Sequence, residues 1–100
     1  MENKITVTEK DFSIDDLKNK ILDKDTGAVV VFNGTVRAHN KGREISLLEL
    51  QRYEGMTEQE LEKVREEAVN NFKVNDIAII HRIGQLEIGD NIVGIVVTAP

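Results

Sequence analysis

Basic side chains cluster where a mostly apolar segment of the chain ends. Residues 27–36 have the composition of a strand, and Arg37 and His39 follow directly, with Lys41 and Arg43 close behind. A guanidinium donates two parallel hydrogen bonds to a phosphate or carboxylate, and an imidazole adds a further donor or acceptor. The pattern therefore predicts a site for an anion at the end of a strand.

The rest of the sequence is acidic, which makes this basic cluster an exception. Eighteen Asp and Glu residues outnumber 13 Lys and Arg residues, and the formal net charge is -5. Nonspecific nucleic-acid binding normally needs a basic face, so we expect no nucleic-acid partner. The absence of cysteine excludes a disulfide framework and a thiolate site, and two isolated histidines predict no metal site.

Each basic residue also has a purely structural interpretation. Arg37 can end its strand in an ion pair with one of the carboxylates, and His39 can be a loop histidine that faces solvent. For Lys41 and Arg43, a solvated hairpin tip is the preferred interpretation. The residue types alone leave both alternatives open for Arg37 and His39.

Hydrophobic periodicity predicts three elements in the first third of the chain. The alternation at Ile5 and Val7 indicates a short strand. Ser13 is the expected N-cap of a helix, because apolar residues spaced for one helical face follow it at Ile14, Leu17 and Ile21. Residues 28–36 scarcely alternate, and we therefore predict a strand that is buried on both faces.

A second helix is predicted after residue 57. Thr57 and Glu60 have the spacing of a capping box, in which each side chain bonds the backbone amide of the other residue. The predicted buried stripe consists of Leu61, Val64, Ala68 and Phe72. The predicted solvent face consists of Glu58, Glu62, Lys63, Arg65 and Glu66.

The remaining segments predict an α+β fold. Residues 45–53 are expected to pair with strand 28–36 through the loop 38–43, while 76–83 and 92–98 are expected interior strands with a turn at 89–91. This order favours two layers in a ferredoxin-like arrangement. We find no repeat, linker, signal peptide or bilayer-length apolar run in residues 1–100, and we expect one cytoplasmic domain.

Four separated motifs resemble the large subunit of molybdopterin synthase. They are GAVVVFNGTVR at 27–37 with HN at 39–40, YEGMT at 53–57, IHRIG at 80–84, and GD at 89–90. Four motifs in the right order over nearly the whole chain make the resemblance specific. It implies the α/β-hammerhead fold of that family, with two helices on a mostly antiparallel sheet, in place of the ferredoxin-like arrangement.

The resemblance implies a sulfur transfer in molybdenum cofactor biosynthesis. The family converts a cyclic pyranopterin monophosphate, precursor Z, into molybdopterin. The sulfur arrives as a thiocarboxylate on the C-terminal Gly-Gly tail of a small ubiquitin-like subunit. The large subunit typically forms a homodimer at the centre of a heterotetramer. We expect no cofactor, and the lack of a bilayer-length apolar run predicts no membrane partner.

The resemblance also assigns substrate-binding residues. Thr35, Val36 and Arg37 match the family's substrate-binding segment, with Arg37 as the phosphate ligand and His39 as a further donor or a part of the pocket wall. In contrast, His81 is expected to be a histidine at the core edge, and Arg82 a partner for a carboxylate.

The family's catalytic lysines match no position up to Pro100, so the resemblance assigns no catalytic residue in residues 1–100. It covers the N-terminal two-thirds of the family and lacks its C-terminal segment. Three interpretations therefore remain: the enzyme subunit, completed by residues beyond Pro100; a dimeric, non-catalytic homologue that binds the partner; or a fragment that exposes apolar strand surface.

Overall fold

Eight strands and two helices make up the part of the chain that the computed structural model describes, which is residues 4–40, 43–44, 47–50 and 58–100, with side chains described for 4–38 and 58–100. In chain order they are β1 Ile5–Thr8, α1 Ile14–Asn19, β2 Ala28–Thr35, β3 His39–Asn40, β4 Arg43–Glu44, β5 Leu47–Leu50, α2 Glu58–Asn71, β6 Asp76–Arg82, β7 Gly84–Glu87 and β8 Asn91–Ala99.

Four of these strands form the main sheet, in the order β1-β6-β8-β2. β1 and β6 are parallel, whereas β8 runs antiparallel to both of its neighbours, β6 and β2. Two small antiparallel pairs, β3–β4 and β5–β7, complete the described strands. The predicted α+β class, with two helices on a mostly antiparallel sheet, is confirmed.

The two helices cover opposite faces of the sheet. Successive residues of a strand point to opposite faces, so Ala78 and Ile80 of β6 lie on one face, and Ile77 and Ile79 on the other. Leu17 of α1 packs in the cluster that contains the first pair. The second pair packs against α2, through Leu61, Ala68 and Val69. The expectation of two layers is therefore wrong, because the order is helix, sheet, helix.

The burial predicted for strand 28–36 is wrong. β2 is an outer strand of the main sheet, and Val30 and Phe32 remain 66% and 58% exposed. An unbroken apolar run has the same composition in an interior strand and in an edge strand that lies beyond the helices. The predicted strand partner is wrong as well, because β2 pairs with β8, whereas β5 pairs with β7, a strand that periodicity did not indicate.

Helix α2 is rotated relative to the predicted stripe. Val64 and Phe72 are 59% and 68% exposed, whereas the Arg65 side chain, predicted to face solvent, is only 15% exposed. Arg65 faces the sheet because its guanidinium binds the carboxylate of Asp76 and the carbonyl of Ile77. The Thr57 half of the predicted capping box lies outside the described residues.

The prediction for α1 is confirmed at its N-terminus. Ser13 is the N-cap, and its hydroxyl accepts a hydrogen bond from the Asp16 amide at 3.3 Å. Leu17 and Ile21 are buried, although Ile21 lies just beyond the end of the helix. This short helix therefore anchors the loop that follows β1 onto the sheet.

Candidate functional site

The segment predicted to bind the anion lies where β2 leaves the sheet. A β-bulge separates Gly34, paired with Val93, from Thr35, paired with Asn91. The register passes over Ile92, so the extra residue lies in β8, and a bulge of this kind increases the local twist of the pair where β2 ends. The side chains of Thr35 and Arg37 are exposed, whereas Val36 between them is only 4% exposed. The buried Val36 thus anchors a segment with two exposed polar residues.

The turn between β7 and β8 holds Val36 through both of its backbone groups. The Val36 amide donates to the Asp90 carbonyl at 2.9 Å, and the Gly89 amide donates to the Val36 carbonyl at 2.8 Å. Gly89 has a φ of +88°, a left-handed conformation that favours glycine. The position of Val36 therefore depends on this turn.

Side chains of the same turn make further contacts. The Asp90 carboxylate accepts a hydrogen bond from the Glu87 amide at 2.8 Å, which closes the turn. The Asn91 side chain accepts from Asn33 of β2 at 3.3 Å and donates to the Asp11 carboxylate at 3.0 Å. Asn91 thus connects the end of β2 to the loop that follows β1.

Beneath the turn lies the largely buried guanidinium of Arg82, at the end of β6. Its side chain is 11% exposed, and Nη1 lies 3.6 Å from the Asp11 carboxylate and 4.0 Å from that of Asp90. Nη1 also donates to the Asn91 carbonyl at 3.5 Å, and Nη2 donates to the Glu9 carbonyl at 3.3 Å. The prediction that Arg82 binds a carboxylate is confirmed.

The charge of Asp11 is stabilised within this cluster. The Asn91 side-chain hydrogen bond, the Phe12 amide and the nearby Arg82 charge together lower the pKa of Asp11. Asp11 is therefore ionised at neutral pH and opposes the positive charge of Arg82. We call Arg82, Asp11, Asp90, Asn91 and Asn33 the Arg82 network.

His39 follows Arg37 by two residues, and the structure describes the backbone of His39 but not its side chain. His39 is in β3, where it pairs with Glu44 of β4. Lys41 lies outside the described residues, and the side chain of Arg43 is not among those described. The substrate-binding role predicted for His39 therefore stays a prediction.

The contacts of His81 are those of a structural residue. His81 Nδ1 lies 2.8 Å from the Arg82 carbonyl, and the partly buried ring is at the core edge, as predicted. Across the described ranges there is no group of three His, Cys, Asp or Glu side chains suited to hold a metal ion. In the same ranges no helix is long and apolar enough to cross a membrane.

Sequence reasoning missed most of the Arg82 network. The pattern identifies Asp90 and Asn91 as turn residues and gives no role to Asp11 or Asn33. The available signal was the GD motif at 89–90, one of the four motifs of the resemblance. Polar contacts between residues far apart in the chain leave no periodic pattern, which explains why they were missed.

Comparisons with known proteins agree with the resemblance. The model of the MoaE protein family matches residues 7–100. The molybdopterin synthase catalytic subunit of Pyrococcus abyssi is 37% identical over 100 residues, which cover 98% of this chain and 68% of that protein. The Escherichia coli subunit of the same name is 41% identical over 99 residues, which cover 98% of this chain and 66% of that protein.

A solved structure supports the fold independently. The crystal structure of molybdopterin synthase from Staphylococcus aureus superposes with a TM-score of 0.86 at 30% identity, covering all of this chain and 73% of that one. The chain spans about two thirds of the length of the Pyrococcus abyssi and Escherichia coli subunits. The predicted resemblance and fold class are confirmed.

Proposed function

This chain belongs to the MoaE family of molybdopterin synthase catalytic subunits, and we propose that it performs their step in molybdenum cofactor biosynthesis. In that step a cyclic pyranopterin monophosphate, precursor Z, becomes molybdopterin. The single observation that carries the proposal is the family match over residues 7–100, which includes the whole candidate segment. The two dithiolene sulfurs are delivered by the thiocarboxylated tail of a small ubiquitin-like subunit.

In the proposed site, Thr35, Arg37 and His39 contact the substrate. Arg37 is exposed at the strand end and supplies a fork of donors that suits a phosphate, while the Thr35 hydroxyl can donate or accept. Val36 contributes differently, because its side chain is buried and both of its backbone groups bind the turn. Its proposed role is to hold Thr35 and Arg37 in place.

The electrostatic setting supports this assignment. The chain carries a net charge of -5, so a phosphate is attracted only where positive groups are concentrated. Sulfur transfer also requires a fixed substrate, because an attacking thiocarboxylate must meet it in a defined orientation. Arg37 and its neighbours serve this binding step, and we assign no catalytic lysine within residues 1–100.

The assembly and location are part of the same proposal. We propose that residues 1–100 form one domain of the large subunit, that two large subunits form the centre of a heterotetramer, and that the complex acts in the cytoplasm. A non-catalytic homologue that only binds the small subunit is the second candidate. The exposed apolar residues Val30 and Phe32 of β2 suit a protein-binding surface, which both candidates use and which is all that this second candidate requires.

The test is a binding and turnover assay with cyclic pyranopterin monophosphate and the thiocarboxylated small subunit. We expect the native protein to bind the pterin and form molybdopterin, and Arg37→Ala to bind it about tenfold more weakly because a charge-assisted hydrogen bond is lost. Lys24→Ala is the matched control, since Lys24 is an exposed cation outside the segment.

The outcomes separate the candidates. Binding of the small subunit without molybdopterin formation would favour the non-catalytic homologue. Equal pterin affinity of Arg37→Ala and Lys24→Ala would refute the role of Arg37 as the phosphate ligand.

A further inference from the structure

The turn that holds Val36 is itself held by the Arg82 network. Asp90 acts in two directions: its carbonyl accepts the Val36 amide at 2.9 Å, and its carboxylate lies 4.0 Å from the Arg82 guanidinium. Asn91 also acts twice, because its backbone pairs with Thr35 and its side chain binds Asn33. The residues on both sides of the β-bulge are thereby connected to one buried cation.

Burying Arg82 is unfavourable for the fold, which suggests a purpose beyond packing. Transferring a guanidinium from water to a protein interior is strongly unfavourable until its partners compensate. Compensation is incomplete here, because within the described residues the buried Nε of Arg82 has no hydrogen-bond partner. An apolar side chain at this place would fill the space without that cost.

We propose that Arg82, with Asp90 and Asn91, is a positioning residue that fixes the orientation of Arg37. The proposal rests on the proposed function, in which Arg37 binds the phosphate of the substrate. The connection runs from the Arg82 guanidinium to the Asp90 carboxylate, from the Asp90 carbonyl to the Val36 amide, and from Val36 to the adjoining Arg37.

Positioning has a large effect on an arginine that binds a phosphate. Two parallel hydrogen bonds form only when the plane of the guanidinium faces the oxygens correctly. A displacement of about 1 Å in a site of this kind reduces activity by about a hundredfold. Loosening the turn should therefore weaken substrate binding, although its residues are not among those proposed to contact the substrate.

A first experiment tests the mechanical connection without a ligand. Amide hydrogen exchange is measured at Val36 and Gly89, the two amides that join the segment to the turn, and is normalised to amides near the middle of β8, such as Ile95. We expect Arg82→Met to reduce protection at both by about tenfold. The control is Arg65→Met, which removes another largely buried arginine that binds α2 to β6 and should leave these two amides unchanged relative to the middle of β8.

A second variant guards against misfolding of Arg82→Met. Asp90→Asn keeps an oxygen that accepts the Glu87 amide but removes the charge that faces Arg82. We expect Asp90→Asn to reduce protection at the same two amides, but by a smaller factor than Arg82→Met. Unchanged protection at Val36 and Gly89 in both variants would overturn the proposal.

A second experiment tests the consequence for binding with a double-mutant cycle. We expect Asp90→Asn to weaken binding of cyclic pyranopterin monophosphate by about fivefold and to raise KM while leaving kcat nearly unchanged. In the Arg37→Ala background the same substitution should change affinity less than about twofold, because the group that it positions is absent. A residue that only stabilises the fold would not show this dependence on Arg37.

The outcomes of the cycle distinguish the two proposals. If Arg37→Ala loses affinity but Asp90→Asn does not, or if the two effects simply add, the positioning role fails and the proposed function stands. If the native protein does not bind the pterin, the proposed function fails and the positioning role fails with it.

Discussion

Two largely buried arginines hold the two ends of β6, and they do so differently. Arg65 of α2 is 15% exposed, and each of its guanidinium nitrogens has an acceptor: the Ile77 carbonyl at 2.7 Å, Asp76 at 2.5 Å and Glu62 at 3.4 Å. Lys4 adds a second cation, 2.7 Å from the same Asp76 carboxylate. These contacts join α2, the start of β1 and the start of β6 next to the core.

Arg82, at the other end of the strand, is 11% exposed but has longer contacts. Its distances to Asp11 and Asp90 are 3.6 Å and 4.0 Å, and the partners lie in a loop and a turn rather than in regular elements. Short, fully matched contacts stabilise a fold, whereas long contacts to a turn contribute less to stability. The role of a buried charge therefore depends on its partners and not on its burial alone.

The largest effect on stability is expected at the start of β6, which we call the Arg65 end because Arg65 binds Asp76 and Ile77 there. Asp76→Ala removes the carboxylate that faces both Arg65 and Lys4 and leaves two cations without it. We expect a loss of about 3 kcal/mol in the free energy of unfolding, because the largely buried Arg65 then retains, among the described contacts, the Ile77 carbonyl and the longer contact to Glu62, and removing one partner of a buried ion pair is strongly unfavourable. Urea denaturation at neutral pH measures this loss.

The control for this prediction is an exposed ion pair. Asp15 is 84% exposed and lies 4.0 Å from Lys18, so Asp15→Ala should change stability by less than about 0.5 kcal/mol. If Asp76→Ala proved as mild as Asp15→Ala, the structural role given to the Arg65 end would be wrong.

A smaller effect is expected at the Arg82 end from Gly89→Ala. The φ of +88° strains an alanine, although the space around the new methyl group is open, so we expect about 1 kcal/mol of destabilisation. Gly89→Asn is the matched variant, because asparagine tolerates this conformation and should recover part of the loss. Thermal unfolding compares the two. Equal losses would show that backbone strain is not the cause.

The sequence predicts the positions of helices and strands better than it predicts which strands pair. Ser13 is the N-cap of α1 because its spacing to the following apolar residues is a local signal. The pairing of β2 with β8 joins residues far apart in the chain, which periodicity does not specify. The predicted burial of Val30 and Phe32 is wrong for a related reason, since an edge strand and an interior strand share one composition.

In the candidate site, too, local features can be predicted from the sequence and tertiary contacts cannot. Arg37 was recognisable because it follows an apolar strand within one of the motifs of the family. Its support by Asp90 and Arg82 was not, because those contacts depend on the tertiary arrangement of a turn and a strand end. Hydrophobic periodicity assigns every arginine to the solvent face of a helix, so it predicts the wrong face for Arg65, which is 15% exposed.

The smallest expected effect concerns acid, because protonation removes a charge but leaves the side chain in place. At Asp76, burial raises the pKa, but hydrogen bonds from Lys4, Arg65 and the Ile77 amide outweigh it and hold the pKa below its usual value. A carboxyl group with a lowered pKa in the folded state stabilises the protein above its unfolded pKa of about 3.9, and this contribution is lost as the pH falls through the folded value.

The pKa of Asp11 is also lowered, mainly by Asn91, so both ends of β6 should weaken in the same direction below about pH 4. Urea midpoints measured from neutral pH downward for the native protein, Asp76→Asn and Asp11→Asn test this expectation. We expect Asp76→Asn to flatten the acid dependence more than Asp11→Asn, because Asp76 faces two cations at short distance and Asp11 is largely exposed. A steeper or unchanged dependence in Asp76→Asn would show that its ion pairs do not control acid stability.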